Sequence, residues 1–181
     1  MTSDPHHRRL VCLTGFMGTG KSTVARLLAR QIGWVHVDLD KRIMEITGRS
    51  IPEIFAQAAE AGFRKIEHDQ LARIVGETVE FQKRRIVSLG GGTTAQPQNV
   101  TLLRESGAAI VWLDCPVEEL LGRCARITDR PLFRDEASFR KLYHERHASY
   151  ELADFRVESN IEPLRVVEQI LALGIFPKVT A

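Results

Sequence analysis

The sequence predicts an α/β fold built on a parallel β-sheet, and three observations support this prediction. Short apolar stretches alternate with longer amphipathic ones between Leu10 and Gly174, which is the pattern of successive strand–helix units. A glycine loop separates the strand from the helix in the first of these units. Acidic residues or glycines directly follow later strands, at the edge where α/β sheets bind their ligands.

The individual elements follow from local patterns of apolar residues and from turn residues. The predicted strands are Leu10–Leu13, Trp34–Val37, Ile86–Leu89, Ala109–Leu113 and Phe155–Glu158. The predicted helices run to about Ile32, over most of 41–75, and over about 97–104, 117–124, 138–150 and 163–173. Gly33 and Gly174 are expected to end helices, Ser138 to cap one, and Pro163 to start one. Neither a repeat nor a low-complexity linker divides the 181 residues, so we expect a single domain.

The composition argues against several classes of protein. A net charge of +2 gives no reason to expect nucleic acid or a membrane surface as a partner. No apolar run approaches the ~20 residues of a membrane-spanning helix, and the polar N-terminal segment lacks the apolar core of a signal peptide. Cys12, Cys115 and Cys124 form no metal-binding or redox spacing. We therefore expect reduced, buried thiols and a cytoplasmic protein.

The first strand is followed by a phosphate-binding loop. Residues 15–22, with the sequence GFMGTGKS, match the pattern G-x-x-x-x-G-K-[ST], and a strand precedes and a helix follows the match, as the motif requires. In such a loop the backbone N–H groups and the helix N-terminus bind phosphates, the lysine (Lys21) contacts the β- and γ-phosphates, and the hydroxyl (Ser22) binds Mg²⁺. The predicted nucleotide-binding residues here are Gly18, Thr19, Gly20, Lys21, Ser22 and Thr23. The chain is therefore expected to bind a nucleoside triphosphate with Mg²⁺.

The second strand leads into two carboxylates, Asp38 and Asp40. Because they are two residues apart, they would point the same way if the chain stayed extended. Asp38 is then expected to act at the metal through a bound water, and Asp40 to accept a hydrogen bond from the hydroxyl that receives the phosphoryl group. The pair alone would also suit a solvated loop or a helix cap, and the nearby phosphate loop favours the functional interpretation.

The long, mostly helical stretch after this pair is a candidate substrate-binding insertion. It contains Arg64, which is expected to open a helix, and two further arginines follow later, Arg130 in a charged loop and Arg146 on the next helix. Such arginines could bind a substrate carboxylate through two hydrogen bonds or neutralise a migrating phosphoryl group, although any one of them alone would more often be solvated. Gly90, Gly91 and Gly92 follow the third strand and indicate either close approach to a ligand or a flexible turn.

Taken together and in order, these residues identify the chain as a member of the shikimate kinase family over nearly its whole length. The matching landmarks are Gly15–Ser22, Asp38–Asp40, Gly62–Arg64 with Glu67, Ser88–Gly92, Asp129–Leu132, and Glu145–Arg146 with Tyr150 and Asp154. The resemblance implies a P-loop kinase fold with helices on both faces of five parallel strands in the order 2-3-1-4-5, a substrate-binding insertion at about 39–75 and a mobile lid at about 124–138. It also implies transfer of the γ-phosphoryl group of ATP to the 3-hydroxyl of shikimate, in the route to chorismate and the aromatic amino acids.

The resemblance also implies a role for each site residue. Asp40, Arg64 and Arg146 would bind shikimate, with the two arginines on its carboxylate, Gly90–Gly92 against its ring and hydroxyls, and Asp40 as orienting group or base. Arg130 resembles the lid arginine that closes over the phosphates. Arg123 resembles the arginine that stacks on adenine, and the loop near Pro163 would lie on the other side of the base. The expected protein is a monomer.

Two alternatives remain open at this stage. A gluconate-type or other small-molecule kinase would share the phosphate loop, and gluconate also carries a carboxylate. A non-catalytic metabolite sensor could use the same pocket, but it would tolerate loss of Lys21, Asp40 or Arg130, and all three residues are present.

Overall fold

The computed structural model describes residues 8–124 and 135–177 of the chain. Its elements alternate along the sequence as expected. They are β1 (Leu10–Thr14), α1 (Lys21–Ile32), β2 (Val35–Asp38), α2 (Leu39–Thr47), α3 (Ile51–Glu80), β3 (Arg85–Ser88), a 3₁₀ turn (Thr93–Ala95), α4 (Pro97–Glu105), β4 (Ala109–Asp114), α5 (Val117–Cys124), α6 (Glu136–Tyr150), β5 (Phe155–Glu158) and α7 (Pro163–Ala172).

All five strands are parallel and lie in the order β2-β3-β1-β4-β5, which confirms the expected fold. The central strand, β1, is buried along its whole length. Leu10 and Cys12 pack with apolar residues of α2, α3 and α4, whereas Val11 and Leu13 pack with those of α1 and α7. Because successive side chains of a strand point to opposite faces, this division places helices on both faces of the sheet.

The strand order brings the sequence motifs to one edge of the sheet. The phosphate loop follows β1, the acidic pair begins at the end of β2, and the three glycines follow β3. Since the strands are parallel, their carboxyl ends lie at the same edge, and β3 lies between the other two. The candidate site therefore lies at the edge where α/β sheets bind ligands.

Helix α3 is longer than expected and contains a kink. It extends to Glu80 instead of about residue 75, and Ala59 has a non-helical backbone (φ 53°, ψ −174°) that divides it in two. Ser50 caps its start, with a reciprocal pair of bonds to Glu53 that forms a capping box. Arg64 was expected to open a helix, but it lies one turn inside the second segment.

The start of α6 also differs from the expectation. Asp135 is the N-cap, because its Oδ1 accepts a hydrogen bond from the backbone N–H of Ser138 at 2.7 Å. Ser138 therefore lies in the first turn, and the prediction that it caps the helix is wrong; an aspartate is an equally good cap and lies earlier in the chain. Most of the expected lid, including Arg130, lies outside the described residues. No helix within the described ranges is long and apolar enough to cross a membrane.

Candidate active site

The phosphate loop adopts backbone conformations that its glycines make accessible. Gly15 has φ +139°, and a Cβ there would lie 2.6 Å from the carbonyl oxygen of Leu113 on the neighbouring strand. Gly20 forms the N-cap of α1 and has no side chain that could cap the helix, which leaves the start of α1 open to an anion. The hydroxyl of Thr19 instead donates to the carbonyl oxygen of Phe16 at 2.9 Å, so this side chain supports the loop from within.

The Lys21 ammonium lies over the same loop. Its Nζ donates to the carbonyl oxygens of Gly15 and Phe16, both at 2.8 Å. These bonds place a positive charge beside the N-terminus of α1. The loop, the helix terminus and the ammonium together present an arrangement that suits phosphate groups. Ser22 and Thr23 follow in the first turn of α1 and are exposed.

Asp38 is held in place by three donors. Its Oδ2 accepts hydrogen bonds from Ser22 Oγ at 2.5 Å and Ser88 Oγ at 3.0 Å, and its Oδ1 accepts one from the backbone N–H of Lys41 at 3.1 Å. Burial by itself raises the pKa of the carboxyl, but these hydrogen bonds outweigh it, so the pKa of Asp38 lies below its ordinary value. A charged carboxylate beside a hydroxyl is a donor set that suits Mg²⁺.

Asp40 does not continue an extended chain, so the expected geometry of the acidic pair is wrong. Asp38 ends β2 and caps α2, and Asp40 lies in the first turn of that helix. The helix begins at once because the Asp38 side chain binds the N–H of Lys41. Burial, followed by the nearby charge of Asp38, raises the pKa of Asp40 above its ordinary value. The two carboxylates therefore differ in environment, and Asp40 is the stronger base.

The three glycines provide space for the other predicted site residues. A Cβ on Gly90 would lie 2.9 Å from Asp40 Oδ1 and 3.0 Å from Glu67 Oε1. A Cβ on Gly91 would lie 3.2 Å from an Arg146 nitrogen, and one on Gly92 would lie 2.5 Å from Nη2 of Arg64. The structure thus brings Asp40, Arg64 and Arg146 together around one short segment.

Arg64 is fixed by two glutamates. Its Nη1 donates to Glu67 Oε2 at 2.9 Å, while its Nε and Nη2 donate to Glu60 Oε1 at 3.3 and 3.2 Å. The Glu67 side chain is only 1% exposed, and its other oxygen accepts a bond from Thr93 Oγ1 at 2.7 Å. Sequence reasoning used Glu67 as a landmark without giving it a role. Its spacing of three residues from Arg64 on a helix is the signal that could have predicted this ion pair.

Arg146 lies on α6 and reaches the glycines from that helix. Its guanidinium carbon lies 5.9 Å from the centre of the Phe16 ring, which belongs to the phosphate loop. One turn later, the buried Tyr150 donates its hydroxyl to the carbonyl oxygen of Gly91 at 2.6 Å, and burial raises its pKa. This bond anchors the helix that carries Arg146 to the glycine segment.

Arg123 lies where the phosphate loop meets the segment after β5. Its guanidinium donates to the carbonyl oxygens of Gly18 and Ser159, each at 3.2 Å. The next residue, Asn160, has a buried side-chain oxygen with no hydrogen-bond partner among the residues that the structure describes. Pro163 is the first residue of α7, which is capped by the Glu162 side chain. Sequence reasoning missed Asn160, since nothing local distinguishes it from a turn residue.

These features are typical of a P-loop kinase that acts on small molecules. They are the phosphate loop, the hydroxyl–carboxylate pair whose chemistry suits Mg²⁺, the second carboxylate and the two converging arginines. Comparison with known proteins agrees with this class. The family model described as shikimate kinase matches residues 17–173. A shikimate kinase of Synechococcus elongatus is 40% identical over 164 residues, covering 88% of this chain and 83% of the relative. One of Geobacter metallireducens is 42% identical over 160 residues, covering 87% and 86%.

The fold also matches that of solved shikimate kinase structures. The solved structure of a shikimate kinase from Acinetobacter baumannii in complex with shikimate superposes with a TM-score of 0.83 at 33% identity, covering 93% of each chain. This chain belongs to the shikimate kinase family.

Proposed function

We propose that this protein transfers the γ-phosphoryl group of ATP to the 3-hydroxyl of shikimate, which yields shikimate 3-phosphate and ADP on the route to chorismate and the aromatic amino acids. The observation that carries the proposal is the convergence of Asp40, Arg64 and Arg146 on Gly90–Gly92, beside the phosphate loop. Family membership and the shikimate complex of the Acinetobacter baumannii relative support the choice of acceptor.

ATP would bind along the phosphate loop. Backbone N–H groups from Gly18 to Thr23 and the Lys21 ammonium would hold the β- and γ-phosphates. Arg123 would stack on the adenine, with the segment before Pro163 on its other side. The side-chain oxygen of Asn160, which has no donor within residues 8–124 and 135–177, supports this placement, because a buried acceptor of this kind suits the amino group of a base.

Mg²⁺ would bind beside Ser22 and Asp38. The fit rests on a hydroxyl and a carboxylate whose pKa is held low, 2.5 Å apart at the start of α1. Mg²⁺ usually keeps several waters and binds through one or two protein groups together with substrate phosphates, so this pair would be enough to hold it. When bound, Mg²⁺ would neutralise charge on the transferring phosphate.

Shikimate would bind with its carboxylate between Arg64 and Arg146. A planar guanidinium can give a carboxylate two parallel hydrogen bonds, and Glu67 holds Arg64 in one orientation. The three glycines would let the ring approach the backbone closely. Asp40 would accept a hydrogen bond from the 3-hydroxyl and, because its pKa is raised, would take the proton as the oxygen attacks.

The lid would complete the site. Arg130 lies outside the described residues, and its role follows from the family resemblance: it would fold over the phosphates and stabilise charge in the transition state. The variant Arg130→Ala should therefore lose mainly kcat and change the KM for shikimate little. We further infer a single-domain, monomeric, cytoplasmic enzyme without nucleic-acid or membrane partners, and the lack of any metal-binding or redox spacing among the cysteines of the sequence supports a reducing compartment.

An acceptor panel tests the proposal. ADP release is measured with Mg²⁺·ATP and with shikimate, gluconate, glycerol or no acceptor. Turnover should depend on shikimate, and Asp40→Asn should lower kcat by about 10²–10⁴-fold while the KM for ATP stays near that of the wild type. Equal turnover with other acceptors would indicate a different small-molecule kinase. Tight binding of shikimate without turnover would indicate a sensor.

A further inference from the structure

A chain of hydrogen bonds extends from Asp38 through Ser88 to His36. The proposed reaction gives no role to Ser88 or His36. We propose that Ser88 and His36 are positioning residues that fix Asp38 for the metal, with His36 as the terminal donor of the chain. The inference rests on the proposed function to the extent that a divalent ion binds beside Ser22 and Asp38.

The parallel register of β2 and β3 creates this chain. Asp38 pairs with Ser88 across the two strands, and His36 lies on the same face as Asp38, two residues earlier. Ser88 Oγ is 3.0 Å from Asp38 Oδ2, and His36 Nε2 is 3.1 Å from Ser88 Oγ. Ser88 is buried, whereas His36 and Asp38 are half-buried, so the middle of the chain is covered by protein and its two ends lie closer to solvent.

The direction of each hydrogen bond follows from chemistry. The ionised carboxylate of Asp38 can only accept, so Ser88 must donate its single proton to it. The oxygen of Ser88 can then only accept from His36, which requires the proton of the imidazole to be on Nε2. The Asp38 carboxylate therefore sets the tautomer of His36 indirectly, through the Ser88 hydroxyl.

Three donors together determine the plane of the Asp38 carboxylate. Oδ1 is held by the backbone of Lys41, and Oδ2 is held by Ser22 on one side and Ser88 on the other. Ser22 is expected to bind the metal itself. Ser88 is then the group that keeps Oδ2 aligned from the protein side, and His36 keeps the Ser88 hydroxyl turned toward Asp38. Groups that orient a metal's protein partners commonly change metal affinity by about 10–100-fold when they are removed.

The experiment measures metal binding directly. Mn²⁺ is titrated into the enzyme with ADP and its free signal is followed by electron paramagnetic resonance, for wild type, Ser88→Ala, His36→Phe and His36→Gln. Ser88→Ala should weaken Mn²⁺ binding by about tenfold or more. His36→Phe should weaken it severalfold, and His36→Gln, which can still donate an N–H, should restore most of the affinity. The KM for shikimate should stay within twofold of the wild-type value in all variants.

A matched control and a fold check keep the result interpretable. Ser106, at the end of α4, donates its hydroxyl to the carbonyl of Leu103, so Ser106→Ala removes a similar hydrogen bond away from the site and should leave Mn²⁺ binding unchanged. Thermal denaturation of each variant identifies any variant that fails to fold. If His36→Phe fails to fold, Ser88→Ala and His36→Gln still test the proposal. Unchanged Mn²⁺ affinity in Ser88→Ala, or equal losses in His36→Phe and His36→Gln, would overturn it. The Mn²⁺ titration needs no phosphoryl acceptor. Its result can therefore be interpreted even if the acceptor panel shows that shikimate is not the substrate.

Discussion

Replacement of Gly92 by alanine tests the arrangement around Arg64 with a single methyl group. The added Cβ would lie 2.5 Å from Nη2, 2.9 Å from Nη1 and 3.0 Å from Cζ of Arg64. Gly92 has φ −116° and ψ 3°, which alanine can also adopt, so the backbone need not change. The perturbation is therefore steric and falls on one guanidinium group.

The size of the displacement sets the expected effect. Ordinary contact begins near 3.4 Å, so the nearest nitrogen must move by about 0.9 Å (3.4 − 2.5). The bond from Arg64 to Glu67 is 2.9 Å long and tolerates only about 0.3 Å before it passes the usual limit of ~3.2 Å. Arg64 therefore cannot keep both this bond and its present position beside the glycines.

The assay is steady-state kinetics with shikimate varied at saturating ATP. Complete loss of one partner of a charged hydrogen-bonded pair costs about 2–4 kcal/mol, which corresponds to a change of about 30- to 900-fold. Because a flexible guanidinium keeps part of its contact, we expect the KM for shikimate to rise at least tenfold, with little change in the KM for ATP.

A second glycine supplies the control. Gly76 lies on the same helix as Arg64, and a Cβ there would meet no atom of the described residues within 4 Å. Gly76→Ala should therefore keep the wild-type KM and gain slightly in stability. If Gly92→Ala binds shikimate as well as Gly76→Ala does, Arg64 is not the carboxylate-binding group that the geometry indicates.

Three further variants test other parts of the structure. Arg146→Lys keeps the charge but loses the planar pair of donors, so the KM for shikimate should rise about tenfold; an unchanged value would remove Arg146 from the substrate site. Ala59→Gly relieves a positive φ that costs about 1–3 kcal/mol, and urea denaturation should show a gain of about 1 kcal/mol after the entropy cost of glycine; a loss of stability would show that the backbone is not strained. Glu77→Gln breaks the pairs of Glu77 with Arg42 and Arg85, which join α2, α3 and β3. Because its hydrogen bond with Arg42 lowers the pKa of Glu77, the stabilisation is present above the ordinary glutamate pKa of about 4.3 and lost as pH falls through the folded value. The gap in unfolding free energy between wild type and Glu77→Gln should therefore shrink below about pH 4, and a gap independent of pH would contradict this account.

Some features could be predicted from neighbouring residues alone. The phosphate loop needs glycines at fixed spacings between a strand and a helix, and all of this information lies within about twenty residues. The strands and helices also follow from local patterns, and α5 and β5 match their expected bounds. The strand order did not come from periodicity; it came from family resemblance and is confirmed by the sheet.

The acidic pair shows where local reasoning failed. A spacing of two residues suggested a common direction, but Asp38 caps α2 and starts the helix one residue later. This places Asp40 in a buried turn beside a second carboxylate, where its pKa is raised. The competition between strand and helix at this point is decided by a side-chain cap and by the packing of α2 against α3.

The sequence by itself predicted a phosphate-binding loop at Gly15–Ser22 and showed that the chain carries the charged residue types of a kinase, because both depend on residue type and on short spacings. Only the tertiary structure decided that Gly90 lies against Asp40 and Glu67, Gly91 against Arg146, and Gly92 against Arg64. These partners lie between 23 and 55 residues apart along the chain. Their contacts depend on how α2, α3 and α6 pack around the end of β3, and burial then sets which carboxylate stays charged and which can accept a proton.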